Sequence, residues 1–247
     1  MFLLSSDYYQ VKEVHKKGRG VFAIKEIPAG TILGDYVGLL VKDEKIDALE
    51  KKYGACYAMD YADNGLSILP VDIKANGIHL INHSCAPNSD TYYYFGHTLF
   101  FTLRRILVGE EITIDYGFDP DNDGQRDLLH TCFCGSLLCR GTMYTSDERL
   151  KRYGTFCRAE TKNQKFKMLG AGELLPPLEK YPKAIKDNKV FNLFANTHAK
   201  PIVLNDKKIP SVSELRKKIR ETGKALKFSN LGLKVIAIDD GRIIADK

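Results

Sequence analysis

The chain has 247 residues, 37 Lys and Arg against 31 Asp and Glu, and 44% apolar residues, enough to bury a core in one large or two small domains. That composition excludes disordered and collagen-like chains, and no run approaches the roughly 18–20 apolar residues that would span a bilayer. The opening MFLLSSDYYQ lacks the cationic start and long apolar stretch of a signal peptide, so the whole chain is expected to be the mature protein, intracellular and soluble, with no membrane partner.

The net charge of +6 is unevenly divided. Residues 1–144 carry 14 basic against 19 acidic residues, a balance of −5, and residues 145–247 carry 23 against 12, a balance of +11. An acidic first part and a basic second part suggest two domains with different partners, although a Lys-rich surface also serves solubility alone.

Up to residue 118 the chain reads as short strands. Val11 to His15, Gly20 to Ile24 and Thr31 to Val37 are β-branched or aromatic runs separated by Lys16-Lys17-Gly18 and Pro28-Ala29-Gly30, which read as turns. Asp43 to Tyr53 places Ile46, Leu49 and Tyr53 at helical spacing and stops at Gly54. Strands resume at Cys56–Tyr61, Leu66–Pro70, Ser89–Phe95, Thr98–Arg104 and Glu111–Asp115, which makes the first domain mainly β.

Residues 145–189 are polar, with Gly170, Gly172, Pro176, Pro177 and Pro182, and are expected to connect two modules through a loosely packed or helical segment. Beyond them Pro201–Leu204 and Lys207–Ile209 flank Asn205-Asp206, a tight hairpin, and Ser211-Val-Ser-Glu214 is a capping box opening a helix to about Leu226. Lys234–Asp239 and Arg242–Ala245 around Asp240-Gly241 give a second hairpin. Residues 190–247 are therefore expected to be a small α+β accessory module, and no internal repeat relates it to the first domain.

Four of the six cysteines cluster in sequence or carry metal-like spacing: Cys132, Cys134 and Cys139 within eight residues, and Cys85 upstream, with Cys56 and Cys157 standing alone. Thiols two residues apart are poorly placed to bridge each other, and three thiolates converging on tetrahedral Zn2+ need a fourth ligand, for which Cys85 is the candidate. Free buried thiols are the alternative.

Three further segments carry more polar chemistry than a plain core requires. Gly18-Arg19-Gly20 lets backbone approach a ligand closely. Asn82-His83-Ser84-Cys85-Ala86-Pro87-Asn88 packs polar groups directly after Ile78–Ile81. Glu110-Glu111-Ile112-Thr113-Ile114-Asp115-Tyr116-Gly117 ends a strand on a tyrosine beside glycine, where the phenol can project into a cleft.

In this order, these segments resemble a SET domain protein lysine methyltransferase over roughly residues 8–144. Lys17–Ala23 with Ile27–Thr31 resembles the family's opening motif and Tyr36-Val37-Gly38 its next strand. Asn82–Asn88 and Glu111–Gly117 resemble the two segments that the family threads as a pseudoknot. Cys132–Gly141 resembles the post-SET zinc loop, placed here in residues 118–144, whose fourth ligand matches Cys85.

The resemblance implies methyl transfer from S-adenosyl-L-methionine to a protein lysine, with Tyr116 as catalytic tyrosine and Tyr57 on the other wall of the lysine channel. It implies cofactor contacts from Gly18, Arg19, Gly20, Tyr36, Asn82, His83 and Tyr116. Ile114 stands where the family usually has phenylalanine or tyrosine, so di- or trimethylation is sterically permitted. His79 and Leu80 replace Arg-Phe, and Asp35 replaces a common glutamate.

The acidic balance of residues 1–144 suits a Lys-rich substrate such as a histone or ribosomal protein. Two other classes are carried: a catalytically weak SET-fold binding module, and a nucleic-acid-binding protein. The latter would act through the basic Lys207, Lys208, Arg216, Lys217, Lys218 and Arg220.

Overall fold

The computed structural model describes residues 1–119, 130–136, 139–145 and 164–183, and three backbone strands within 227–246. The chain begins with a hairpin of β1 (Tyr9–Val14) and β2 (Gly18–Ala23), in register from Tyr9 opposite Ala23 to Val14 opposite Gly18. Val11 faces Val21, and Val21 and Ala23 turn into the core while Lys12 and Glu13 stay exposed, the alternation expected of a half-buried strand.

The expected strand over Thr31–Val37 contains one strand, and a second begins just beyond it in another sheet. β3 (Ile32–Asp35) is fully buried and pairs with β9 (His97–Thr102), which also pairs with β8 (Ser89–Tyr94). β4 (Gly38–Lys42) crosses to a second sheet ordered β11-β4-β6-β5, where β5 is Met59–Asp60 and β6 is Leu66–Leu69. Gly38 permits the crossing: a Cβ there would run into the Leu69 carbonyl, so only glycine allows this approach.

The expected helix is α1 (Ile46–Tyr53), preceded by a 3-10 turn at Asp43–Lys45. Gly54 closes it in the left-handed region at φ 69°, its N–H donating to the Glu50 carbonyl. Behind the sheets, Val21, Ile27, Leu33, Leu40, Ile68, Ile106 and Ile112 are fully buried in one cluster. Each such side chain stabilises the fold by about 1.5–3 kcal/mol.

Residues 164–183 correct the expectation of a loose or helical connection. β11 (Leu174–Leu175) adds to the edge of β4, opposite Leu39 and Gly38, and buries Leu175 in the main cluster. Leu169 donates its N–H to the Tyr61 hydroxyl at 3.2 Å. Tyr181 donates its hydroxyl at 2.7 Å to Oδ2 of the buried Asp35, which also binds His97 Nδ1 at 2.8 Å. Burial, reinforced by the bond to Asp35, pushes the Tyr181 phenol up, so it remains a donor at neutral pH.

At the far end β12 (Lys227–Phe228), β13 (Leu233–Asp239) and β14 (Arg242–Asp246) form an antiparallel sheet, with the expected hairpin pairing Asp239 with Arg242 and Lys234 with Asp246. The expected hairpin at 201–209, the helix from 211, the basic cluster on it and Cys157 lie outside the described residues. Among the described residues, no helix is long and apolar enough to cross a membrane.

Candidate functional site

The segment 82–88, expected as a loop, begins as a two-residue strand. β7 (Asn82–His83) pairs in parallel with β10 (Thr113–Ile114), Asn82 beside Thr113 and His83 beside Ile114. Asn88 extends the junction with its side chain: its Nδ2 donates to the Glu111 carbonyl at 2.8 Å and its Oδ1 accepts from the Thr113 N–H at 2.9 Å. These bonds supply backbone partners that two short strands cannot supply alone. They carry Asn82, His83, Ile114 and Tyr116 to one place.

Tyr116 is half-buried between two rings, His83 at 5.5 Å and Phe118 at 5.4 Å between centroids. Its hydroxyl donates to the Ile81 carbonyl at 3.1 Å and its N–H to His83 Nδ1 at 3.1 Å. Burial, with Cys56, Tyr57 and Glu111 nearby, pushes its phenol up. Tyr36 is held up in the same way, by burial first and then by Cys56, Tyr116 and Tyr57. The phenols of Tyr36 and Tyr116 therefore stay neutral, as does the thiol of Cys56, itself raised by burial and by the Glu50 carboxylate.

Tyr36 is only 3% exposed, stacks on Phe100, and donates its hydroxyl to the Tyr57 carbonyl at 2.6 Å. It thereby positions the Tyr57 backbone. The Tyr57 ring meets His79 edge-on at 5.8 Å. His79, in place of the expected arginine, binds the Ile73 carbonyl through Nε2 at 3.2 Å, and burial lowers its pKa, so it acts as a neutral donor.

Arg19 also grips the 73–76 segment, donating to the Ile73 and Lys74 carbonyls at 2.8 Å each. Its guanidinium is thus engaged by protein. Ile114 is 2% exposed and belongs to the main core cluster.

His83 links this site to the cysteines. Because the Tyr116 N–H donates to Nδ1, the network assigns the ring proton to Nε2, which lies 3.4 Å from Cys85 Sγ. Both ring nitrogens are engaged by protein groups.

The sulfurs of Cys85, Cys132, Cys134 and Cys139 lie within 4.8 Å of one another. Cys85 and Cys132 are 3.6 Å apart, and backbone N–H groups point at the sulfurs: Arg140 at Cys85 (3.3 Å), Cys134 at Cys132 (3.4 Å) and Gly141 at Cys139 (3.4 Å). Bonds to Cys134 and Cys85 push the Cys132 thiol up, and bonds from Cys132 and Cys85 pull Cys134 down. A divalent cation removes that conflict by holding all four as thiolates, so the cluster can bind a metal.

Three contacts dock the cysteine segment. Arg140 forms a fork with Asp115, Nη1 to Oδ2 and Nη2 to Oδ1 at 2.9 Å each, the aspartate side chain being wholly buried. His130 binds the Tyr144 hydroxyl through Nδ1 at 2.7 Å and lies 3.6 Å from Glu50 of α1 through Nε2. Lys16, in the β1–β2 turn, sits over the Phe133 ring at 5.2 Å. Asp115 and Arg140 were not among the residues expected at the site, although both lie within the quoted motifs. Their spacing of 25 residues concealed the pairing.

Residues 18–117 match the family model of the SET domain. This part of the chain is a SET domain. Over 142 residues, 54% of this chain, it is 37% identical to "Histone-lysine N-methyltransferase trithorax" of Drosophila virilis. Over 131 residues, 50% of the chain, it is 37% identical to "Histone-lysine N-methyltransferase 2B" of Homo sapiens. Identity to "Histone-lysine N-methyltransferase, H3 lysine-9 specific SUVH5" of Arabidopsis thaliana is 29% over 146 residues.

These matches span 4%, 5% and 18% of the respective relatives' own lengths. A solved structure, KRYPTONITE in complex with mCHG DNA and SAH, aligns over 55% of this chain and 29% of that one, at 26% identity with a TM-score of 0.44. In the SET domain the β7–β10 pairing joins the phenol cluster to the cysteines, and the Asp115–Arg140 fork holds the segment that follows the domain against it.

Proposed function

We propose that the SET domain, with the cysteine segment that follows it, transfers methyl groups from S-adenosyl-L-methionine to the ε-amine of a protein lysine. The observation that carries this reading is the neutral Tyr116 phenol, held between Ile81 and His83 at the β7–β10 junction. S-adenosyl-L-methionine, when bound, supplies an electrophilic methyl group on a sulfonium cation.

The residues present fit such a molecule: neutral phenols, and an amide at Asn82 whose Nδ2 is spent on Arg19 and Glu111, leaving Oδ1 to accept from an ammonium. Tyr36 backs the wall through Tyr57. A free lysine has a pKa of about 10.4, and an apolar wall of phenols disfavours its charged form, so the amine reaches Tyr116 ready to attack. The Tyr116 oxygen then orients the lone pair, and alignment supplies most of the rate.

The substrate class is a Lys-rich protein such as a histone, matched to the acidic balance of residues 1–144. Mass spectrometry of a native extract incubated with the protein and cofactor should find lysines gaining methyl groups; no methylated lysine above background would overturn the reading. Ile114 has no hydroxyl to hold a water and less bulk than a ring. Under excess enzyme the product is therefore expected to pass beyond monomethyl, and a product that stops there would reject this step.

The four thiols fit Zn2+, the soft-ligand tetrahedral ion. The cluster lies apart from Val21, Leu33, Leu40 and Ile68, so metal loss is expected to free the cysteine segment and leave the β core folded. Chelation, or Cys134→Ser, should lower methyl transfer far more than it changes far-UV circular dichroism. Full activity after metal analysis shows less than a tenth of an equivalent would contradict this.

A further inference from the structure

Glu111, one residue before the Ile112 that anchors the core, directs a carboxylate at two groups at once. Its Oε1 accepts from Asn82 Nδ2 at 2.8 Å, and its Oε2 takes the Lys17 ammonium. The pair is well covered, with side-chain exposures of 10% for Lys17 and 16% for Glu111. Space is made by Gly20, where a Cβ would meet Glu111 Oε1 at 2.7 Å and Asn82 Nδ2 at 2.8 Å. Gly20 is thus required for this packing, whatever its main chain offers a ligand.

A primary amide presents two similar ends, and rotation by a half-turn exchanges them. For Asn82 that exchange is blocked. Its two Nδ2 protons go to the Arg19 carbonyl at 3.1 Å and to Glu111. A flipped amide would set Oδ1 against two acceptors with no proton among them, one carrying a full charge, and take the Asn82 donor from each.

We propose that Glu111 is a positioning residue of the cofactor pocket: it locks the Asn82 amide so that Oδ1 is the end offered to a bound ammonium, while Lys17 balances the carboxylate. The inference rests on the reading of Asn82 as a cofactor-holding residue. Lys17 also ties the β1–β2 turn to the residues that lead into β10, so the same carboxylate joins two of the segments from which the pocket is built.

The test is calorimetric titration of the full chain with S-adenosylhomocysteine, which binds without reacting. Losing a charge-assisted bond should weaken binding by about tenfold or more in Glu111→Ala. Glu111→Gln keeps a carbonyl for Asn82 and should recover most of the affinity. The Asn82→Ala/Glu111→Ala double variant should bind no more weakly than Asn82→Ala alone, because Glu111 acts through that amide.

KM for the protein substrate should stay unchanged throughout, an outcome that general loosening would not give. Glu111→Asp, which draws the charge back by one methylene, serves if the alanine variant does not fold. Wild-type affinity in both, or additive losses in the double variant, would overturn the proposal with the Asn82 reading intact. Wild-type affinity in Asn82→Ala would overturn both.

Discussion

Tyr116→Phe is expected to lower methyl transfer roughly 10²-fold, the scale of a loss of alignment at the reacting atom. The change isolates one atom. The Tyr116 N–H to His83 bond is main chain and survives, as do the ring contacts with His83 and Phe118. Only the hydroxyl bond to Ile81 is removed, which leaves a carbonyl short of a donor at about 1–3 kcal/mol.

The β core should therefore remain folded at room temperature while the lysine amine loses its orienting oxygen. Transfer of labelled methyl to histones, measured beside a thermal melt, separates the two effects. Activity within threefold of the wild type in a folded variant would remove Tyr116 from the proposed mechanism.

Asp115→Asn should have the largest effect on stability. The Asp115 side chain is wholly buried and faces four protein groups: both arms of the Arg140 fork, the Gly117 N–H at 3.2 Å, and His83 Nδ1 at 3.4 Å. Asparagine keeps the shape but strands a guanidinium that is only 14% exposed, at about 3 kcal/mol.

That loss falls on the cysteine segment, because Arg140 also donates through Nε to the Tyr144 carbonyl and through its N–H to Cys85 Sγ. The denaturant midpoint should fall, and bound metal should be lost to a chelator faster than from the wild type. Removing both charges in Asp115→Asn/Arg140→Gln should restore part of the midpoint, since no unpaired charge is then buried. An unchanged midpoint in the single variant would show that the fork contributes nothing.

Both predictions depend on residues whose identities are plain in the sequence and whose partners are not. Glycine marked the end of α1 at Gly54 because a left-handed residue is needed there, and the hairpin of β13 and β14 was marked by Asp240-Gly241 between two apolar runs. The β3–β4 crossing escaped notice. Ile32 to Val41 is apolar or aromatic apart from Gly34, Asp35 and Gly38, and the close approach that sets the second strand is between Gly38 and Leu69, 31 positions away. β11 escaped for a related reason: two residues have no measurable period, and its partner, Leu39, lies 135 residues earlier.

The sequence by itself determined the chemical inventory: the tyrosine beside glycine at 116–117, the polar run 82–88, three cysteines at metal-binding spacing with Cys85 upstream, and an acidic part followed by a basic one. Those features are legible because a side chain's chemistry does not depend on its neighbours. Only the tertiary structure decided how that inventory is wired. It turned His83 into the link between Tyr116 and Cys85, Arg19 and His79 into clamps on Ile73, and Leu174–Leu175 into a strand on the SET core. Each of these is a hydrogen bond or close contact between distant positions, and its existence depends on where the packed core brings them together.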